Sequence, residues 1–282
     1  MKVVSSVDEV RELLSECKDG YGFVPTMGAL HEGHLSLVER ALEDNEIVVV
    51  SVFVNPTQFN EKSDLKKYPR NLKKDSELLS EAGVKILFAP EVEDVYPKSL
   101  NTEVDIEMNG LDEAMEGEFR PGHFKGVMQV VNRLLDILQP TELYMGQKDF
   151  QQFTIINHMI DALKLDVKLV VVPTKREPHG LAMSSRNERL SDETRSKAGV
   201  IYQVLKSIKR RKNQRTFNQL IEYANRKLNQ GPFELEYINF ADGFTLQEID
   251  SIDQSSYVVC CLAVWADGVR LIDNMIIKKD KN

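Results

Sequence analysis

The sequence predicts an α/β fold in which a parallel sheet carries helices on both faces. Two observations lead to this prediction. Short apolar runs rich in β-branched and aromatic residues recur between residues 21 and 172, and one-sided amphipathic stretches separate them. A third observation, the change of texture after Pro173, predicts a second and smaller domain. Ligands of such sheets bind at the carboxyl ends of the strands.

The predicted strands are short and apolar on both faces, as buried parallel strands are. They cover residues 21–25, 47–54, 84–88, 143–145 and 167–172. Helices are predicted between them, over residues 33–43, 71–82, 127–138 and 150–163. In the first of these helices, Leu35, Val38, Ala41 and Leu42 follow the three-and-four spacing of an apolar stripe that faces a core.

The last third of the chain reads as a different kind of unit. Two charged helices are predicted over residues 191–210 and 216–229, followed by strands over 233–240, 257–265 and 269–277. Ala266-Asp267-Gly268 is a tight-turn signal between the last two strands. We therefore predict a doubly wound, Rossmann-like domain over residues 1–175 and a smaller α+β domain with an antiparallel sheet over residues 176–282.

Composition narrows the class of protein. Lys and Arg number 36 against 44 Asp and Glu, and this balance of −8 disfavours a protein that coats nucleic acid. The cysteines, Cys17, Cys260 and Cys261, are too few and too badly spaced for a disulfide framework. No stretch reaches the roughly 18 apolar residues that span a bilayer. We expect a cytoplasmic protein without nucleic-acid or membrane partners.

Residues 25–34 read P-T-M-G-A-L-H-E-G-H and run from a predicted strand through a glycine turn into a helix. His31 and His34 would lie at the mouth of that helix, where unpaired N–H groups and the helix dipole favour anions. Structural histidines, metal ligands and phosphate contacts are the three interpretations. The metal interpretation is the weakest because no third His, Cys or HExxH partner lies nearby in the sequence. Phosphate contacts are favoured.

His31-Glu32-Gly33-His34 resembles the HxGH signature of the nucleotidyltransferase superfamily, which includes class I aminoacyl-tRNA synthetases and small cytidylyl- and adenylyltransferases. Members of this superfamily attack the α-phosphorus of a nucleotide. Many carry a second, KMSKS-like motif whose basic and hydroxyl groups hold the phosphates. Met183-Ser184-Ser185-Arg186 stands in the corresponding place here.

Further segments make the resemblance more specific. Residues 25–34, 53–59, 68–70, 122–127, 146–152 and 180–187 together resemble the pantothenate synthetase family, also called pantoate–β-alanine ligases. The resemblance implies condensation of (R)-pantoate with β-alanine at the expense of ATP, with Mg²⁺ and through a pantoyl adenylate. AMP and pyrophosphate are the other products. Members are commonly cytoplasmic homodimers, so a homodimer is implied here.

The resemblance also implies roles for individual residues. His31, His34, Lys148, Ser184, Ser185 and Arg186 match the groups that act on the phosphates. The residues that match the family's ATP-binding segments are Pro25, Thr26, Met27, Gly28, Ala29, Leu30, His31, Glu32, Gly33, His34, Gly146, Gln147, Lys148, Asp149, Lys175, Met183, Ser184, Ser185 and Arg186. Mg²⁺ is expected to be held mainly by ATP, with no metal ligand assigned among the protein side chains.

Pantoate is expected between Gln58 and Gln152, with Asn55 and Tyr68 nearby. A neutral amide holds a carboxylate or hydroxyl by hydrogen bonds without a full charge. A salt bridge would lower the nucleophilicity of the carboxylate oxygen that attacks phosphorus, so glutamines suit this role. Arg70 and Asp75 are candidates for supporting positions, and a solvated face explains them equally well.

Two positions depart from the family pattern. Gln147 stands where the family usually has Glu, and His179 stands where it usually has Asp before the glycine. Both departures affect the expected hydrogen bonding around the nucleotide. Two other functions stay open at this point: a different adenylyl- or cytidylyltransferase or synthetase fragment, and a nucleotide-binding regulator without catalysis, since fold alone does not fix function.

Overall fold

A computed structural model describes residues 1–17, 19–59, 65–66 and 68–280. The chain divides into two compact units, each built from separate segments of sequence. The first unit comprises Met1–Glu107, Arg120–Gly146 and Ile155–Val172, and the second comprises Met108–Phe119, Gln147–Thr154 and Pro173–Asn282. None of the helices described is both long and apolar enough to cross a membrane.

The strands of the first unit form one parallel sheet of six strands in the order β1-β4-β3-β2-β5-β6. They are β1 (Lys2–Val4), β2 (Gly22–Thr26), β3 (Val48–Val52), β4 (Ile86–Phe88), β5 (Glu142–Gly146) and β6 (Lys168–Val172). The winding direction reverses between β2 and β5, which is the kind of position where open α/β sheets bind ligands. The predicted doubly wound parallel fold is confirmed.

Helices alternate with these strands. They are α1 (Val7–Leu14), α2 (Glu32–Asp44), α3 (Leu72–Glu81), α4 (Val92–Val95), α5 (Glu116–Phe119), α6 (His123–Leu138) and α7 (Phe150–Leu163). Helix α5 belongs to the second unit, and α7 begins in the second unit and continues in the first. The predicted helices correspond to α2, α3, α6 and α7. Helix α6 begins at His123, four residues before the predicted start.

The core of the first unit forms where the apolar stripe of α2 meets the sheet. Leu37, Val38 and Ala41 of this helix are buried in one cluster with β-strand residues such as Val24 and Val50. Burial of the leucine and valine side chains contributes roughly 1.5–3 kcal/mol each. Val38 and Ala41 of the predicted stripe thus lie in the core and Leu42 packs against it, whereas Leu35 is only half-buried and Leu37, outside the predicted stripe, is buried.

Two elements at the start of the chain escape the sequence patterns. Strand β1 has only three residues and lies at an edge of the sheet, paired with β4. Helix α1 follows at once, with the Ser6 hydroxyl accepting the Glu9 N–H at its N-terminus. A three-residue edge strand carries too little periodicity to be recognised before its partner is known.

The second unit contains an antiparallel sheet in the order β7-β8-β9, as predicted. Its strands are β7 (Glu234–Asp242), β8 (Tyr257–Ala266) and β9 (Val269–Lys279), and its remaining helices are α8 (Asp192–Lys197), α9 (Gly199–Arg211) and α10 (Phe217–Leu228). Asp267 and Gly268 link β8 to β9 with φ of 50° and 68°, the conformation of a tight hairpin turn. Helices α9 and α10 bury Ile201, Leu205 and Leu220 in the core cluster to which strand residues such as Val258 belong.

The prediction of one helix over residues 191–210 is wrong, since the structure ends α8 at Lys197 and begins α9 at Gly199. Next to this break, an added Cβ at Gly199 would stand 2.2 Å from the backbone oxygen of His179. Only glycine allows this close approach of two backbones. Periodicity in sequence does not show it.

Candidate active site

In the first unit, the segment between β2 and α2 is a tight loop held by β3 and α3. The Thr26 hydroxyl donates to the Ser51 carbonyl and accepts the Gly28 N–H. Gly28 has φ of 80°, and a Cβ there would stand 2.9 Å from an Asp75 carboxylate oxygen. Glycine is thus required at this point both by backbone conformation and by space.

Asp75 fixes the same loop from helix α3. Its two carboxylate oxygens accept the N–H groups of Ala29 at 3.0 Å and Leu30 at 2.8 Å. The side chain is almost fully buried, with 1% of Asp75 exposed. Ala29, with φ of 50°, is one of the few non-glycine residues in the left-handed region. Asp75 therefore has a definite structural task at the loop that leads into the first motif.

His31 and His34 stand at the N-terminus of α2, as predicted. His31 is the residue that caps this helix, because its Nδ1 accepts the Gly33 N–H at 3.0 Å. An accepting Nδ1 carries no proton, so the neutral ring holds its proton on Nε2 and can donate there. The two rings stack with their centroids 4.1 Å apart. The helix terminus and the histidines form one donor-rich group.

Gln58 lies in a turn of 3-10 helix, Pro56–Gln58, which follows β3. The side-chain amide of Gln58 contacts the Met27 sulfur at 2.9 Å and accepts from Asn55 at 3.2 Å. The Asn55 amide also donates to the Gly126 carbonyl, and its oxygen accepts from the Tyr96 hydroxyl. The structure thus brings Gln58 against the first motif.

Asn55 organises this turn through its own hydrogen bonds. Burial raises the pKa of its partner Tyr96 to about 12, so the phenol keeps its proton as a donor. Tyr68, the other predicted neighbour of pantoate, meets Phe59 edge to face with ring centroids 5.7 Å apart. Direct contact of Asn55 and Tyr68 with a substrate stays a prediction.

Helix α6 packs against the Gln58 turn at its first residues. The His123 ring donates through Nδ1 to the Gln58 carbonyl at 2.9 Å. A Cβ at Gly126 would stand 2.4 Å from the Thr57 carbonyl oxygen, so only glycine lets the two backbones approach this closely. Residues 122–127 are among the segments that resemble the family, but the sequence predicts no role for His123 or Gly126.

In the second unit, Gln147–Asp149 forms a turn of 3-10 helix that leads into α7. The ammonium of Lys148 lies 3.3 Å from the Asp149 carboxylate, and 17% of the Lys148 side chain is exposed. Gln152 follows on α7 and is half-buried. The neighbouring Gln151 is used structurally, since its amide donates to the carbonyls of Leu111 and Ala114.

Lys175 and Met183 are neighbours in a small hairpin of the second unit. The Met183 N–H donates to the Lys175 carbonyl at 3.0 Å, and the Glu177 N–H donates to the Leu181 carbonyl at 2.8 Å. Gly180 turns the hairpin with φ of 107°. The hairpin thus joins Lys175, one of the predicted ATP contacts, to the second motif, which begins at Met183.

Ser184 caps the short helix Ser185–Arg189 through its hydroxyl, which accepts the Arg186 N–H at 3.3 Å. Asn187 supports this turn from inside: its amide donates to the Ala182 carbonyl and to Glu177. Burial acts to raise the pKa of Glu177, but hydrogen bonds from Arg195 and Asn187 hold it below its usual range. Glu177 is therefore an anionic anchor for the motif, which the sequence patterns did not indicate.

The described residues bring no group of three His, Cys, Asp or Glu side chains together in a way that could hold a metal ion. The histidine pair lies at a helix N-terminus in the first unit. Lys148, Gln152, the Lys175–Met183 hairpin and Ser184 to Arg186 are placed in the second. Each predicted motif lies on a helix, turn or hairpin within one unit.

Comparison with known proteins identifies the family. The chain matches the family model described as pantoate-beta-alanine ligase over residues 2–276. The chain belongs to the pantoate–β-alanine ligase family. A pantothenate synthetase of Bacteroides fragilis strain YCH46 is 45% identical over 283 residues, which cover 99% of this chain and 100% of that protein.

Solved structures of pantoate–β-alanine ligases share the fold. A pantothenate synthetase of Thermus thermophilus has a TM-score of 0.92 and 43% identity, covering 99% of this chain and 100% of that one. The ligase from Francisella tularensis, solved with beta-gamma ATP and β-alanine, has a TM-score of 0.80 and 35% identity, covering 98% of both chains. The resemblance stated from the sequence is confirmed, and the chain is a ligase of this family.

Proposed function

We propose that the chain condenses (R)-pantoate with β-alanine to form pantothenate, with ATP converted to AMP and pyrophosphate. The match to the pantoate–β-alanine ligase family over residues 2–276 carries this proposal. The donor group at the N-terminus of α2 supports it, because His31 and His34 stand where an anionic phosphate is favoured.

The first step is transfer of the adenylyl group. A carboxylate oxygen of pantoate, already anionic at neutral pH, attacks the α-phosphorus of ATP in line. The new bond between the carboxylate oxygen and the α-phosphorus gives pantoyl adenylate. The bond from the α-phosphorus to the oxygen that bridges to the β-phosphorus breaks, and pyrophosphate leaves. No general base is needed, so the barrier lies in positioning and in charge on the phosphates.

The charge on the departing pyrophosphate is the part that this chain's cationic and donor groups stabilise. We assign this role to His34, Lys148, Ser184, Ser185 and Arg186, with His31 beside them on the phosphates. The neutral tautomer of His31, with Nδ1 accepting the Gly33 N–H, carries its proton on Nε2, and we assign this N–H to a phosphate oxygen. The remaining predicted ATP contacts, from Pro25 to Gly33, Gly146 to Asp149, Lys175 and Met183, belong to the same proposal.

Pantoate is held by neutral groups in this proposal. Gln58 and Gln152 donate to its carboxylate and hydroxyl oxygens, and the burial of Gln58 favours a hydrogen bond to an anion over solvent. Asn55 keeps the Gln58 turn in place through its bonds to Gly126 and Tyr96. The Tyr68 ring packs edge to face against the Phe59 ring.

In the second step, the deprotonated amine of β-alanine attacks the acyl carbon of the adenylate. The amide bond forms, its nitrogen loses one proton to solvent, the bond from the acyl carbon to the phosphate oxygen breaks, and AMP leaves with its negative charge. Mg²⁺ would be bound mainly by the phosphate oxygens of ATP, which are the hard ligands this ion prefers. We further propose a cytoplasmic homodimer.

One assay tests the function. The chain is incubated with ATP, Mg²⁺, pantoate and β-alanine, and AMP and pantothenate are measured. Equal amounts of both products are expected. Absence of AMP would contradict the proposal and favour a nucleotide binder, whereas AMP formed only with another acid would show a ligase of different specificity.

The assigned phosphate contacts are tested with His34→Ala and Lys148→Ala. Loss of one preorganised donor costs on the order of 10²–10³ in rate, so pantoate-dependent exchange of pyrophosphate into ATP should fall by that factor. Both variants should unfold at the wild-type temperature. His158→Ala is the control, since this histidine of α7 contacts the Glu107 carbonyl. Near-wild-type exchange in either variant would contradict its assignment.

A further inference from the structure

Asn274 on strand β9 uses its side-chain amide to hold the turn that carries Lys148. Its Nδ2 donates to the carbonyl oxygens of Gln147 at 2.9 Å and Lys148 at 2.8 Å. Its Oδ1 accepts from the Gln147 side chain at 3.3 Å. Both protons of the amide nitrogen are thus used on two successive carbonyls, and 2% of Asn274 is exposed.

The turn held in this way is short. Gln147–Asp149 has three residues of 3-10 helix, whose internal hydrogen bonds are few and poorly aligned. Lys148 is a point charge on a flexible four-carbon stem, so its position depends on where its backbone is fixed. Asn274 fixes that backbone at the carbonyl of Gln147, which precedes the backbone nitrogen of Lys148, and at the carbonyl of Lys148 itself.

Asp273, next to Asn274 on β9, anchors the hairpin that links Lys175 to Met183. The two carboxylate oxygens of Asp273 accept from the Arg176 guanidinium at 2.6 and 2.9 Å, and Arg176 also donates to the Gly180 carbonyl at 3.2 Å. The Asp273 carboxylate also accepts the backbone N–H of Asn274 at 2.8 Å. Burial raises the pKa of Asp273, against the effect of Arg176, the Asn274 N–H and Lys148.

We propose that Asn274 is a positioning residue for adenylyl transfer, which acts by setting the place of the Lys148 ammonium. This inference rests on the proposed function of Lys148. Asn274 makes no chemical step itself: it holds the backbone from which the cation is presented to the phosphates. Misplacing such a group by about 1 Å costs on the order of 10²-fold in rate.

A double-mutant cycle tests the inference in the full-length chain. Asn274→Asp keeps the shape of the side chain, but it replaces the two N–H donors by an acceptor that repels both carbonyls. In pantoate-dependent pyrophosphate–ATP exchange, Asn274→Asp should lower kcat on the order of 10-fold to 100-fold. Combined with Lys148→Ala, it should add less than about 3-fold, because the group it positions is gone.

Thr154→Val is the matched control. Thr154 is buried in the same segment of the second unit and donates its hydroxyl to the Phe150 carbonyl at 2.9 Å. Its loss removes one buried hydrogen bond from α7 and should leave exchange within about 2-fold of wild type. If Asn274→Asp does not fold, Asn274→Ala takes its place, since it removes the donors without burying a charge.

The outcomes separate this inference from the proposed function. Multiplicative effects of Asn274→Asp and Lys148→Ala, or wild-type exchange in folded Asn274→Asp, would overturn the positioning role while ligation stands. A wild-type chain that forms no pantothenate would contradict the proposed function. In that case a titration with ATP tests the inference. Asn274→Asp and Lys148→Ala should each weaken ATP binding, and the double variant should bind ATP about as weakly as Lys148→Ala alone. Wild-type ATP affinity in both variants would overturn the inference.

Discussion

Asp75 illustrates how one buried carboxylate shapes a loop that leads into the predicted phosphate-binding motif. It accepts two successive N–H groups of the loop before α2, those of Ala29 and Leu30. Asp75 lies 45 residues after Leu30 in the sequence. A carboxylate suits this task because both of its oxygens accept. The backbone that leads to His31 is thereby fixed in a conformation with positive φ at Gly28 and Ala29.

Asp75→Asn is expected to destabilise the chain and slow adenylation. The amide NH₂ would face a backbone N–H where a carboxylate oxygen stood, which leaves one buried donor without an acceptor. Such a loss costs about 1–3 kcal/mol of unfolding free energy. Urea unfolding and pyrophosphate–ATP exchange measure both effects. Asp94→Asn, at an exposed helix cap that accepts one N–H from Glu91, should cost less; equal losses would contradict the role of Asp75.

At the scale of elements, the contact of α6 with the Gln58 turn depends on one glycine. Gly126 lies in α6 and faces the Thr57 carbonyl at a distance that excludes a Cβ. The His123 ring closes the same contact by donating to the Gln58 carbonyl. The predicted pantoate ligand Gln58 is therefore held by a helix that begins with the sequence of residues 122–127.

Gly126→Ala sets two effects against each other. Alanine favours a helix over glycine by about 1 kcal/mol, while the new Cβ would press on a backbone carbonyl that cannot rotate away, at a typical cost of about 1–3 kcal/mol. The clash should win, lowering unfolding free energy and raising KM for pantoate more than KM for ATP. Lys125→Ala, on the exposed side of α6, controls for helix propensity. A more stable Gly126→Ala with unchanged KM would contradict this interpretation.

The start of β5 carries a polar cluster at the other end of that strand from Gly146. Glu142 accepts from Lys168 at 2.7 Å, from the Tyr144 hydroxyl, and from Asn45 at 3.0 Å. The hydrogen bond from Lys168, followed by that from Tyr144, lowers the pKa of Glu142 from its ordinary 4.5 to about 2 against the effect of burial. Lys168 is 72% exposed, so solvent screens its share.

This shift predicts a pH window for stability. Because the folded-state pKa lies below the ordinary one, the stabilisation is complete above about pH 4.5 and is lost as the pH falls toward 2. Glu142→Gln should cost on the order of 1 kcal/mol at pH 7 after screening, and little at about pH 2. Thermal unfolding across this range measures it. A constant difference between wild type and variant at all pH values would contradict the assignment.

At the scale of the whole chain, the two units interleave in sequence. Segments Met108–Phe119 and Gln147–Thr154 belong to the second unit, although segments of the first unit flank them along the chain. Within the second unit they supply Glu116, which pairs with Arg270 at 2.6 Å, and Phe150, which meets Tyr257 with ring centroids 5.9 Å apart. The core between its helices and sheet lies within residues 181–277.

The predicted boundary at residues 175 and 176 can be tested with the fragment 176–282. It keeps its helix–sheet core, with Glu236 beside Arg270 and Phe244 beside Tyr257. It lacks Glu116 and Phe150, so it should fold with a lower urea midpoint than the full chain. It should also bind a dye for exposed apolar surface, which the full chain should not. A fragment as stable as the full chain and without dye binding would support 176–282 as an independent domain.

The sequence by itself determined the fold class and the family. Parallel strands that are buried on both faces read as apolar runs, and the stripe of α2 reads as a period of about 3.6 residues, so both are visible without coordinates. The same holds for the hairpin turn at Asp267 and Gly268, whose residue types match its backbone. Motifs such as residues 25–34 and 183–186 are local and can therefore also be recognised from sequence.

Only the tertiary structure decided which residues support those motifs. Asp75, His123, Glu177 and Asn274 act across 10 residues or more of sequence, through hydrogen bonds to other segments of the chain. Most of these bonds reach backbone groups, and a backbone carbonyl or N–H is the same at every position, so no pattern of side chains marks the one that is bound. The close approach of two backbones at Gly199 and His179, beside the break between α8 and α9, is likewise a long-range contact.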